Sequence, residues 1–230
     1  MSPSNLEILA YATTPLGELC LRRRELLSRP GTVITEITLD HELLMSSYIT
    51  VSERALAEEA LARHTGRDLS VLVGGLGLGY TANAALQSTR VRRVEVVEFL
   101  PEVVGFLRHG LVPLSRELLA DPRLVVRQGD VYEQLRDLAQ ERWDVVLIDV
   151  DHSPEEHLGT ANESFYSESG LERAKQHLSP GHRRLRQRPD TRPRHRWYWR
   201  PDMSRPHTMR QDRRRYLDKS SPRFRRVPSN

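Results

Sequence analysis

The run Gly74-Gly75-Leu76-Gly77-Leu78-Gly79 lies between a short apolar segment, Leu69 to Val73, and a segment of helical character, Thr81 to Gln87. Glycine takes positive φ without strain and leaves no Cβ in a ligand's path. The helix that follows offers unpaired N–H groups and the positive end of its dipole. Gly74, Gly75, Gly77 and Gly79 are therefore candidates for passing under a nucleotide-type ligand. Three carboxylates stand where such a turn needs partners. Glu98 closes Val94-Glu95-Val96-Val97-Glu98, 19 residues after Gly79, about where a ribose-binding acid belongs. Asp130 follows Leu124-Val125-Val126, and Asp149 ends Asp144-Val145-Val146-Leu147-Ile148-Asp149. Each acid also has a plainer reading, Asp130 as the N-cap of the next helix and Glu98 and Asp149 as strand-end charges.

These residues need a scaffold, and the hydrophobic pattern supplies one. Apolar segments at Leu69–Val73, Val94–Glu98, Leu124–Val126 and Asp144–Asp149 alternate with helical segments at Thr81–Gln87, Pro101–Arg108, Val131–Ala139 and Leu171–His177. Strands that read as continuous apolar runs between helices indicate an α/β fold with a parallel sheet covered on both faces. Open sheets of that kind bind ligands at the carboxyl ends of their strands, where the glycine run and all three acids fall. Ahead of it, Leu16–Arg22 and Thr32–Leu39 alternate with period two, Asp40-His41 is a tight turn into Glu42–Met45, and together they predict a small β unit of two to four antiparallel strands. Thr50-Val51-Ser52-Glu53 has the form of a capping box for a helix reaching about His64.

Composition narrows the function. The 230-residue chain carries +4 overall, but residues 182–230 hold 17 Lys+Arg against 4 Asp, which leaves −9 on the first 181 residues. An acidic body argues against nucleic acid as the main domain's partner. The single cysteine, Cys20, excludes an internal disulfide and a cysteine-based zinc site. Asp149, Asp151, His152 and His157 match no common metal spacing, so no metal is expected. No signal peptide or membrane-spanning run is read, and a soluble cytoplasmic protein is expected.

With these positions in place, the chain resembles the spermidine synthase family, aminopropyltransferases built on the class I methyltransferase fold. The resembling segments are Val71 to Tyr80, Val94 to Pro101, Gly129-Asp130-Val131-Tyr132, Trp143 to Pro154, Phe165-Tyr166 and Leu178-Ser179-Pro180-Gly181, within residues 15–181. The resemblance implies a Rossmann-like class I methyltransferase sheet at residues 51–181 behind an N-terminal β unit at 1–50. It implies an S-adenosyl-type co-substrate, decarboxylated S-adenosylmethionine, rather than a tightly bound cofactor, and transfer of its aminopropyl group to a small-molecule amine. A β unit this small is marginal alone and should pack on the next domain or on a second subunit, so a homodimer through it is expected. In those terms Gly74, Gly75, Gly77 and Gly79 pass under the nucleoside, Glu98 holds the ribose hydroxyls, Asp130 lies near the adenine and Asp149 faces the amine. The family's Asp-Ser-(Ser/Thr)-Asp-Pro reads here Asp149-Val150-Asp151-His152-Ser153-Pro154, one residue longer, with the second acid displaced to Asp151 and His152 in its place. Asp151 and His152 thus join Asp149 as catalytic candidates. The family's polyamine-binding Gln and Tyr have no match in Met45-Ser46-Ser47-Tyr48, which marks a divergent branch and leaves methyl transfer from ordinary S-adenosylmethionine as the alternative.

After Gly181 the pattern stops. Residues 182–230 contain sixteen Arg and six Pro but only three aliphatic residues, Leu185, Leu217 and Val227. Such a segment cannot bury a face and reads as a disordered tail, leaving the sheet truncated after its fourth strand. A shifted reading frame in a GC-rich gene produces this kind of switch, and the chain would then be an inactive remnant. The rival reading is a basic arm whose Trp197-Tyr198-Trp199 stacks on bases; a tail this basic binds polyanions weakly in either case.

Overall fold

The alternating N-terminal segments pair into an antiparallel sheet in the order β1-β2-β3-β4, with β1 at Leu6–Thr14, β2 at Gly17–Glu25, β3 at Val33–Leu39 and β4 at Glu42–Ser46. The structure, a computed structural model, describes residues 6–150 and 165–180 and the backbone of 185–187. Asp40 and His41 turn β3 into β4 with φ of 47° and 69°, the paired positive values of a two-residue hairpin. Strand β1 was not foreseen. A register shift between Ile8 and Ala10 breaks the two-residue period by which a strand shows in sequence.

Glu36 of β3 is buried and accepts from Arg22 Nε at 2.9 Å and from Arg24 Nη2 at 2.6 Å, both on the neighbouring β2. Burial alone would raise its pKa, but hydrogen bonds and charge from Arg24 and Arg22 outweigh burial and hold it below the usual carboxylate range. Its stabilising contribution is therefore present above the unfolded value and is lost as pH falls through the folded one. Glu36→Gln is expected to cost about 1–3 kcal/mol at neutral pH, and the gap from wild type should narrow in urea denaturation below about pH 4.5. A gap independent of pH would remove the ion pair as its cause.

Helix α1, Val51–Ala62, connects the two sheets. Its capping box does not form. Thr50 has ψ of 16° rather than the extended backbone a capping hydroxyl needs, and its side chain makes no cap bond. Glu53 is instead buried and accepts from Ser52 Oγ at 2.8 Å.

The second sheet is parallel, in the order β7-β6-β5-β8-β9, with β5 at Leu69–Gly74, β6 at Val91–Glu98, β7 at Leu124–Gln128, β8 at Val145–Ile148 and β9 at Leu185–Gln187. Between the strands lie α2 (Tyr80–Leu86), α3 (Pro101–Arg108), α4 (Ser115–Ala120), α5 (Val131–Arg136) and α6 (Glu168–Lys175). The strands alternate sides cleanly. Val71, Val73, Val145 and Leu147 join a core shared with the N-terminal sheet, α1, α2 and α3. Leu72, Val97, Val146 and Ile148 face the opposite core, with Val131, Leu135, Trp143 and Phe165. Burial on both faces explains why β8 reads as an unbroken apolar run and β5 as one broken only by Ser70.

The expectation that the sheet ends at its fourth strand is corrected. Residues 185–187 pair in parallel with Val146–Ile148, so β8 has a neighbour on each side over that stretch. Backbone pairing does not depend on side-chain polarity, which is why an Arg-rich segment gave no sign of it. Residues 188–230, and with them the tail's proposed nucleic-acid contacts, lie outside the described residues.

Candidate active site

The glycine turn leaves β5 at its carboxyl end. Gly75 N–H donates to the Val97 carbonyl of β6 at 2.9 Å, and Asp149 N–H to the Gly74 carbonyl at 2.8 Å. Gly75 takes φ of 92°, and a Cβ there would lie 2.2 Å from the Asp149 carbonyl oxygen. A Cβ on Gly77 would meet Met45 Sδ of β4 at 2.7 Å, and the same sulfur accepts from Leu78 N–H at 2.9 Å. The N-terminal sheet therefore closes over the turn through Met45. Of the four glycines, Gly75 and Gly77 line the cleft beneath this sheet. Gly74 backs onto Val131 and Gly79 onto Leu118, so their missing side chains serve packing.

Glu98, at the end of β6, lines the cleft and is almost wholly buried. Its Oε2 accepts from Leu76 N–H at 2.7 Å and its Oε1 from Leu100 N–H at 2.8 Å. Burial raises its pKa, opposed by backbone N–H groups of Leu100, Leu76, Gly77 and Phe99. This acid thus braces the glycine turn as well as facing the cleft. Asp130 is the N-cap of α5, its Oδ1 accepting from Tyr132 N–H at 2.8 Å and Glu133 N–H at 3.3 Å. Both bonds use one oxygen, and Asp130 also lines the cleft. Capping and ligand contact are therefore compatible.

Asp149 follows β8, is buried, and lines the same cleft. Thr81, in the first turn of α2, lies 2.5 Å from Asp149 Oδ2 and 3.1 Å from the Glu53 carbonyl oxygen. The sequence had not singled out Thr81; the available signal was a hydroxyl two residues past the last glycine of the turn. Tyr132 also lines the cleft, in an edge-on aromatic cluster with Phe165 and Tyr166, and its hydroxyl lies 3.1 Å from that of Tyr166. Burial pushes the Tyr132 phenol well above its ordinary range, so it stays a neutral donor. Leu16, Leu19, Ile37, Leu39, Leu44 and Met45 complete the wall on the N-terminal side.

The cleft thus gathers Glu98, Asp130 and Asp149, and among the described residues no Lys, Arg or His lines it. Asp151 and His152 lie outside the described residues, as does His157. Among the described residues no His/Cys/Asp/Glu group could hold a metal ion, and no helix is long and apolar enough to cross a membrane.

A parallel sheet of this order, with a glycine turn after its central strand and acids after the next three, defines a Rossmann-like fold of the class I methyltransferase type. Comparison with known proteins sharpens the class. A spermidine synthase solved with the transition-state analogue AdoDATO superposes with a TM-score of 0.59 at 19% identity, over 75% of this chain and 55% of that one. The spermidine synthase of Thermotoga maritima gives 0.59 and 19%, over 75% and 54%. In sequence, 87 residues are 36% identical to polyamine aminopropyltransferase 2 of Streptomyces coelicolor, 37% of this chain and 16% of that protein. No family model matches. The chain therefore spans about half of each solved relative and a sixth of the curated one. Together these likenesses bear out the resemblance to a divergent spermidine synthase-like chain, with the N-terminal β unit and the parallel sheet both in place.

Proposed function

We propose that the cleft binds decarboxylated S-adenosylmethionine and that the chain transfers its aminopropyl group to a small amine. The observation that carries this reading is the charge of the cleft: three carboxylates and, among the described residues, no cationic side chain. Decarboxylated S-adenosylmethionine carries a sulfonium and an ammonium and no carboxylate, so it complements such a lining. Ordinary S-adenosylmethionine brings a carboxylate that would face acids with no paired cation. In the transfer, the amine nitrogen forms a bond to the carbon attached to sulfur. The carbon–sulfur bond breaks, and sulfur keeps the electron pair as a neutral thioether. The amine's proton passes to Asp149. The leaving group needs no acid, so one well-placed base suffices.

Isothermal titration of the full chain with both ligands tests the reading. Decarboxylated S-adenosylmethionine should bind at least about tenfold more tightly, the scale of one unpaired charged hydrogen-bonding group. Equal or tighter binding of ordinary S-adenosylmethionine would sink aminopropyl transfer and favour methyl transfer.

A further inference from the structure

We infer that Thr81 is a positioning residue for Asp149, one whose hydroxyl follows the carboxylate's protonation state. The inference rests on the proposed role of Asp149 as the base facing the amine. A threonine hydroxyl has one proton and two lone pairs. Thr81 has two oxygen partners, Asp149 Oδ2 at 2.5 Å and the Glu53 carbonyl at 3.1 Å, and one proton cannot serve both. The two bonds can coexist only when Asp149 is itself the donor.

Two arrangements follow. With Asp149 ionised, Thr81 donates its proton to Oδ2. With Asp149 protonated on Oδ2, Asp149 donates to Thr81 Oγ, and the threonine proton turns to the Glu53 carbonyl. That carbonyl belongs to the first turn of α1, so a fixed backbone acceptor waits for the second arrangement. Asp149 and Thr81 are both almost fully buried, where an unmet hydrogen bond costs most. A base that gains and sheds a proton each turnover needs both forms satisfied without moving its carboxylate, and one rotating hydroxyl meets that need. Thr81 is thereby distinguished from a simple helix contact. Among the described residues the other acids around this end of the sheet are Glu53 of α1, Glu98 at the end of β6 and Asp130 at α5, and the Arg54 guanidinium of α1 lies over the ring of Tyr80 next to Thr81. Among the described residues lining the cleft no cation offsets them.

The test needs no substrate, so its failure is distinguishable from failure of the proposed activity. Carbon-13 aspartate is incorporated into the full chain, and the Asp149 carboxyl signal, assigned by its absence in D149N, is followed through a pH titration. Removing the hydroxyl in T81V, which keeps the side-chain shape, should raise the titration midpoint by about one pH unit or more, because of the two bonds lost the one to the charged form is the stronger. T81S should return it to the wild-type value. A T81V midpoint coincident with wild type, or a T81S midpoint that tracks T81V, overturns the inference. T81A is the second hydroxyl-free variant should T81V fail to fold. Where turnover is measurable, T81V should lower kcat about 10- to 100-fold with KM unchanged; an equal loss in both would mark a general packing defect.

Discussion

Replacing Gly75 with alanine is expected to destabilise the chain by about 3–5 kcal/mol and to remove ligand binding with it. Two costs combine. The backbone at residue 75 sits at φ of 92°, where an L-residue is strained by about 1–2 kcal/mol. The new methyl would also fall 2.2 Å from the Asp149 carbonyl oxygen. Neither partner can give way. Gly75 is tied to Val97 on one side, and Asp149 N–H is tied to Gly74 on the other. Gly31 supplies the control. Its φ is 84°, yet a Cβ there meets nothing within 4 Å, so Gly31→Ala should show only the backbone strain. Guanidinium melts of the two variants separate the terms. Similar losses in both would mean that the contact with Asp149 contributes nothing.

Asp149→Asn is expected to lower turnover by about 10²- to 10⁴-fold, the range for loss of a positioned general base, with a much smaller change in affinity for methylthioadenosine. The variant should fold. Its amide can donate to Thr81 Oγ while Thr81 donates to the Glu53 carbonyl, reproducing the hydrogen bonds of the protonated acid. That separates the chemistry from the architecture, which the glycine variant cannot do. Methylthioadenosine formation in steady state is the readout; a rate within threefold of wild type would exclude Asp149 as the base.

Much of this site was legible because it lies on strands buried on both faces. Val71 to Gly74 and Val145 to Ile148 are unbroken apolar runs, and Val94 to Val97 is interrupted only by the buried Glu95, so the residues that end these strands stand out. Pro101 marked the start of α3 where the structure places it. What was hidden has physical causes. The bulge in β1 scrambled its alternation. The pairing of β9 uses only backbone groups, which carry no sequence signature. The double duty of Glu98 could not be read, because a carboxylate that braces Leu76 and Leu100 looks in sequence like one that binds a diol. Thr81 was hidden because its two partners, in α1 and after β8, are 28 and 68 residues away.

Within the core the two sheets share, Met45 links the cleft's roof to its floor through its thioether, which packs on Gly77 and accepts from Leu78 N–H. If the proposed ligand occupies the glycine turn, its binding and the seating of the N-terminal sheet are linked, and linkage is reciprocal. A ligand that favours the closed roof must, by the same free energy, fasten the sheet. Oxidation of that sulfur to the sulfoxide, which makes it polar and bulkier, would loosen both at once. If the proposed transfer from a sulfonium holds, the chain carries in its own roof a second sulfur, whose oxidation state sets how firmly that roof is held.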